Sequence, residues 1–151
     1  MNKIFGISLL ASLAMTGIAL AQNAVRNAPP GIPIHQTEPA SLTLQWGLPI
    51  LVNNGQCGQD QYQMVLGALD ASHSRGRRCV NKTADQPMDA PAGLRVLNSI
   101  PPGGTLKGDE QVLVTNNYCR DGLTLMITGA LSNSFPRTYE CVRYQRSTAA
   151  R

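Results

Sequence analysis

The sequence predicts an all-β fold, an antiparallel sandwich or barrel stapled by disulfides and made of two tandem repeats related by a pseudo-twofold. Three observations predict it. The chain repeats itself at a shift of 62 positions, its four cysteines recur at that same shift, and the repeated segments include one in which apolar and polar residues alternate. Strict alternation is the signature of a half-buried strand.

The repeat is read directly from paired residues. Cys57 falls on Cys119 and Cys79 on Cys141, with Leu51-Val52 on Leu113-Val114 and Asn54 on Asn116. Met64 falls on Met126, Gly67-Ala68-Leu69 on Gly129-Ala130-Leu131, Ser72 on Ser134, Arg75 on Arg137 and Val80 on Val142. From Leu51 to Val80, 12 of 30 positions are identical without a gap, where ordinary composition gives about two.

Each element follows from comparing the copies. Asp60 to Ser72 alone fits a helix, because Tyr62, Val65, Leu66 and Leu69 share a helical face. In the second copy Leu123, Leu125, Ile127 and Leu131 alternate with Thr124, Met126, Thr128 and Ala130, a period of two. Copies of one unit share a fold, so both segments are expected as strands. Gly67 and Gly129 then fall mid-strand, where glycine marks a bulge or a close backbone approach. Ser41 to Trp46, Pro49 to Asn53 and Arg78 to Lys82 complete the first copy; Gly93 to Ile100, Gln111 to Thr115 and Thr138 to Gln145 complete the second. Asn54-Gly55, Asn116-Asn117 and Asp121-Gly122 are turn candidates, since Gly and Asn accept positive φ. With no helix for crossovers, the pairing is expected to be antiparallel.

The flanks set the organisation. Residues 1–21 carry Lys3, an apolar run and Ala19-Leu20-Ala21, the three parts of a secretory signal peptide, so the localisation expected is secreted or periplasmic, in bacterial style. Residues 22–40, with Pro29, Pro30, Pro33 and Pro39, are expected as a flexible arm. A single all-β domain spans 41–146, repeat one about 41–84 and repeat two about 93–146, and 147–151 is a frayed tail. In an oxidising compartment an even cysteine count reads as two disulfides, and local pairing, Cys57 with Cys79 and Cys119 with Cys141, is favoured over a swap across the copies. No transmembrane segment is expected after cleavage.

The chemistry is sparse. No CxxC pair or histidine cluster offers a metal site, and no cofactor motif occurs. Asp70-Ala71-Ser72-His73 places acid, nucleophile and base together, yet triads are assembled from separate elements, and His73 aligns with Phe135. No catalytic residue is assigned. Arginines outnumber lysines and cluster as Arg75, Arg77 and Arg78, with Arg137 their counterpart; their forks suit carboxylate, sulfate and phosphate. Nucleic acid is disfavoured as a partner by export and by the few aromatic residues.

Tandem repeats with one disulfide each, and the Cys119-Arg120-Asp121 start, resemble the cyanovirin-type lectins. The cysteine spacing here is much longer and the rest does not match, so the resemblance assigns no family.

The expectation is therefore an exported, non-enzymatic, lectin-like binding module for an anionic or glycan-type ligand or an acidic protein surface, inhibition of another protein being one form of this. Its expected contacts are Arg75, Arg137, Arg77, Arg78, Asn54, Asn116, Trp46 and Tyr118, with residues identical in both copies forming two equivalent sites. The alternatives are a structural or interaction subunit of an envelope or toxin assembly, and a small secreted hydrolase.

Overall fold

A computed structural model describes residues 24–130 and 136–145. The expected signal peptide and tail, with Ser134, Phe135 and Arg146, lie outside the described residues. The rest is all-β, in two sheets. Sheet I has the order β1-β5-β4-β3-β2, from β1 (Asn27–Ala28), β2 (Ile34–His35), β3 (Pro49–Val52), β4 (Gln61–Leu66) and β5 (Gly76–Ala84). Sheet II has the order β6-β7-β8-β9, from β6 (Arg95–Leu97), β7 (Gln111–Val114), β8 (Thr124–Thr128) and β9 (Thr138–Val142).

The two registers coincide at the 62-residue shift. Ile50 faces Val65 and Val112 faces Ile127; Met64 faces Arg78 and Met126 faces Glu140. Ile34 lies beside Leu51 as Val96 lies beside Leu113, and the Asn27–Asn81 pairing recurs as an isolated bridge of Asp89 with Arg143. Positive φ recurs as well, at Gly31 and Gly93, Leu42 and Gly104, Gly47 and Asp109, Gly55 and Asn117. The expected turns are present: Gly55, Asn117, Asp121 and Gly122 all have positive φ.

The central strands are apolar on both faces because loops cover each side. All four residues of β3 are buried. The chain leaves β1 at one edge of sheet I, crosses a face with fully buried Ile32, and reaches the opposite edge as β2. Ile32, Ala28, Leu51, Met64 and Val80 form one cluster, and Ile50, Val52 and Val65 with Leu44 form the other. Sheet II carries the corresponding pair of clusters, around Leu113, Met126 and Val142 and around Val112, Val114 and Ile127.

Several expectations need correction. Residues 27–35 are no free arm: they supply β1 and β2 and bury Ala28, Gly31 and Ile32. Apolar burial outweighs the stiffness and missing donors of the prolines around them. Ser41 to Trp46 is not a strand, because Leu42 takes φ 67° and the Thr43 hydroxyl donates to the Ala40 carbonyl at 2.7 Å, closing a turn; only a bridge of Trp46 with Gly67 remains. Pairing is not wholly antiparallel: β1–β5, β2–β3 and β6–β7 are parallel. Residues 36–48 and 98–110 make the return crossings as irregular chain, the role a helix usually fills.

The pseudo-twofold expectation also fails at the contact between the sheets. The Arg120 amide donates to the Gly31 carbonyl (2.8 Å), the Arg120 Nε to the Ile32 carbonyl (2.9 Å), and the Tyr118 hydroxyl to the Pro49 carbonyl. A twofold axis would add a matching contact from residues 56–58 to residues 93–94 and 111. Among the described residues there is none, and Gly93 has open space where Gly31 is packed on Leu123 and Cys141. The contact runs one way.

Gly67 and Gly129 sit one residue beyond β4 and β8, and both mark the close approach read from the sequence. A Cβ would meet the Gln45 carbonyl oxygen at 1.8 Å or the Lys107 carbonyl oxygen at 2.0 Å. Alanine at either position is expected to destabilise the protein by roughly 2–3 kcal/mol or more. Gly103→Ala, which meets nothing, is expected to stay within about 0.5 kcal/mol. Urea unfolding under oxidising conditions checks both.

Both disulfides pair locally, Cys57 with Cys79 and Cys119 with Cys141, each with Cα atoms 5.8 Å apart. Each loop contributes about 3 kcal/mol by chain entropy. Cys79 is exposed, whereas Cys141 is buried in the contact between the sheets. Replacing the second pair by alanine is therefore expected to cost about 1–2 kcal/mol more than replacing the first, since it leaves a cavity.

Candidate functional site

Two arginines shape the surface by binding the chain's own carbonyls. Arg75 donates to Pro39 (2.6 Å) and Ala40, and Arg137 donates to Pro101 (2.6 Å) and Pro102, the same positions one repeat on. Both side chains are withdrawn from solvent. The planar guanidinium spans two adjacent carbonyls, a geometry lysine cannot reproduce. These forks hold the irregular crossings against β5 and β9.

The other sequence-chosen residues divide. The Asn54 and Asn116 side-chain oxygens accept from the amides of Gln56 (3.1 Å) and Tyr118 (3.2 Å), so both shape turns before a disulfide. Tyr118 is half-buried in the sheet contact, where burial pushes its phenol far up. Arg77 grips Glu38 through Nε (3.0 Å) and an Nη (2.6 Å), and Arg75 adds a third bond at 2.9 Å. The Arg77 hydrogen bond holds the Glu38 carboxyl below its ordinary range, against partial burial that raises it. Arg78 is exposed, close only to the Met64 sulfur at 3.9 Å.

Trp46 and Arg137 meet in a cleft of about 730 Å³ between the sheets. Sheet I's crossing supplies Gln45 and Trp46, and Leu69 follows β4. Across from them stand the Pro101–Gly104 loop, Arg137 and Tyr139. Trp46 is half-buried and Leu69 is exposed, which makes an apolar wall beside the Gln45 amide and the loop backbone. Burial raises the Tyr139 pKa and the nearby Arg137 charge opposes that rise. Arg75, Tyr118, Asn54 and Asn116 do not line this cleft.

Gln45, Leu69 and Tyr139 are among the lining residues that sequence reading missed. A signal for them exists: position for position, Trp46 corresponds to Gly108, Glu38 to Ile100 and Arg77 to Tyr139. Where the first half holds an Arg77–Glu38 ion pair, the second places Tyr139 and Ile100 in one apolar cluster. The halves differ where the cleft lies, and among the described residues this cleft carries the chain's single tryptophan.

Asp70, Ser72 and His73 do come together. Asp70 Oδ1 lies 2.6 Å from the Ser72 hydroxyl, 2.7 Å from His73 Nδ1 and 2.8 Å from the Ser72 amide. Serine and aspartate both face Nδ1, whereas a relay needs them on opposite ring nitrogens. The ring is more than half exposed and closes an Asx turn. Among the described residues no group of three or more metal-ligating side chains occurs. The Ser72 hydroxyl first, then His73, lowers the Asp70 pKa from 3.8 to about 2. A depressed carboxylate stabilises the fold above its unfolded pKa and loses that contribution as pH falls through the folded one. The stability difference between the protein and Asp70→Asn is therefore expected to fade between about pH 4 and pH 2, with an NMR midpoint for Asp70 near 2.

No helix of the described residues is long and apolar enough to cross a membrane. The chain matches no protein-family model, no curated protein and no solved structure.

Proposed function

We propose that this chain is an exported, non-enzymatic binding module made by tandem duplication, and that it takes a glycan-type ligand in the cleft at Trp46. The carrying observation is the half-buried Trp46 lining a cleft between the two sheets beside Gln45 and the Pro101–Gly104 loop. An aromatic face packs on the C–H face of a sugar ring, and amide groups at its edge take hydroxyl hydrogen bonds. Two disulfides suit an oxidising, extracellular or periplasmic space.

Anionic recognition has less support at this cleft, because Arg75 and Arg137 are engaged with carbonyls and Arg77 with Glu38. Arg78 is exposed but lies against Met64 and does not line the cleft.

The test is tryptophan emission during titration with a panel of neutral and sulfated oligosaccharides. A saturable change is expected with at least one, and Trp46→Ala is expected to weaken its retention on the immobilised sugar by about tenfold or more. Arg78→Ala, away from the cleft lining, should leave retention within about twofold. Emission indifferent to the whole panel would count against the reading.

A further inference from the structure

A second concavity repays comparison with its counterpart 62 residues earlier. On sheet I, the face built by Ala28, Ile32, Leu51, Met64 and Val80 is covered by the second disulfide loop, through Tyr118, Cys119, Leu123 and Cys141. Arg120 completes the seat by donating to the Gly31 and Ile32 carbonyls. On sheet II the equivalent face is built by Ala90, Leu94, Leu113, Met126 and Val142, with Tyr144 beside it. There it opens to a cavity of about 480 Å³ lined by Asp89, Ala90, Leu94, Arg143 and Tyr144. Among the described residues nothing lies within 4 Å of a Cβ built on Gly93, while the same atom on Gly31 would strike Leu123 at 2.6 Å.

We propose that this cavity is a docking seat for a partner protein that presents a disulfide-tied loop with aromatic and aliphatic anchors and one arginine. The seat on sheet I is the template for that occupant. It receives a tyrosine, a leucine and a disulfide on apolar side chains, and a guanidinium on the carbonyl matching that of Leu94. At the rim Asp89, its side chain 80% exposed, is paired with Arg143 at 2.7 Å where sheet I pairs neutral Asn27 with Asn81, so the shape of the apolar seat and not net charge selects the occupant. A second copy of this chain fits poorly, because its free loop offers Gln56, Gly58 and Gln61 in place of Tyr118, Arg120 and Leu123. Those polar residues cap the array, as the outer faces of terminal repeats do. The seat is separate from the Trp46 cleft and does not rest on it.

The experiment grafts the covering loop onto the free one. Gln56→Tyr, Gly58→Arg, Gln59→Asp, Asp60→Gly and Gln61→Leu give residues 56–61 the sequence of 118–123. If the seat is competent, each grafted loop docks on a neighbour's sheet II. The weight-average mass in sedimentation equilibrium is then expected to rise with concentration to at least twice the single-chain value, while the parent stays monomeric. Leu94→Asp, and separately Tyr144→Ser, in the graft should restore the monomer. A graft with both disulfides formed and a parent-like circular dichroism spectrum that stays monomeric overturns the proposal. So does assembly that neither seat substitution reverses. Self-assembly of the parent chain would instead make a second copy the occupant and overturn the choice of a foreign loop.

Discussion

The architecture depends on the seating of the second disulfide loop against the apolar face of the first sheet. Tyr118, Leu123 and Cys141 cover Ile32, while Arg120 donates to the successive carbonyls of Gly31 and Ile32. This contact buries large side chains and satisfies backbone groups of a crossing segment that has no ladder of its own there. It needs a residue without a side chain at 31, since a Cβ there would stand 3.0 Å from that of Cys141. Without this seat the two sheets would keep the contact in which Leu48 joins the Val112, Leu125 and Ile127 cluster, and the Ile32 face would stand in water.

The cleft is a by-product of the same one-way contact. Because sheet I's crossing leans on β9, with Gly47 against Pro136 and the Arg137 carbonyl, Trp46 is brought opposite the Pro101–Gly104 loop. The loop keeps its shape because Arg137 bridges its carbonyls and the Thr105 hydroxyl donates back to Pro102 at 2.7 Å. On the first half the same fork is made by Arg75, but an ion pair of Arg77 with Glu38 stands beside it in place of Tyr139 and Ile100. Equal scaffolds thus carry unequal surfaces.

Much of this was legible in the residues. The 62-residue shift locates both disulfides, and Gly67 with Gly129 announces two close backbone approaches that the coordinates contain. Apolar β3, and β7 after Gln111, are doubly covered strands, and the threonines at either end of β8 flank three consecutive buried residues. The repeat was read too narrowly, since Ala28-Pro29 and Ala90-Pro91 already extend it into the proline-rich segment. Two-residue parallel strands such as β1 and β2 carry no periodicity to detect, and their pairing is fixed only by where Ile32 is buried. Side-chain allegiance was hidden for a similar reason. A conserved pair of positions such as Arg75 and Arg137 reads as a ligand clamp until the carbonyls of residues 39–40 and 101–102 are seen beneath them.

The direction of the contact between the halves also bears on how the chain acquires its fold. The ribosome delivers the half that owns the covered seat first, and Arg120 of the covering loop comes 88 residues after its partner Ile32. Until residues 118–123 arrive, Ile32 and its neighbours form an uncovered patch on a half-finished molecule. Such a patch invites non-native association, and pairings between distant segments close slowly. Folding only once residues 118–123 have been made would let both halves collapse together, so the order in which the two modules are written favours folding after synthesis over folding during it.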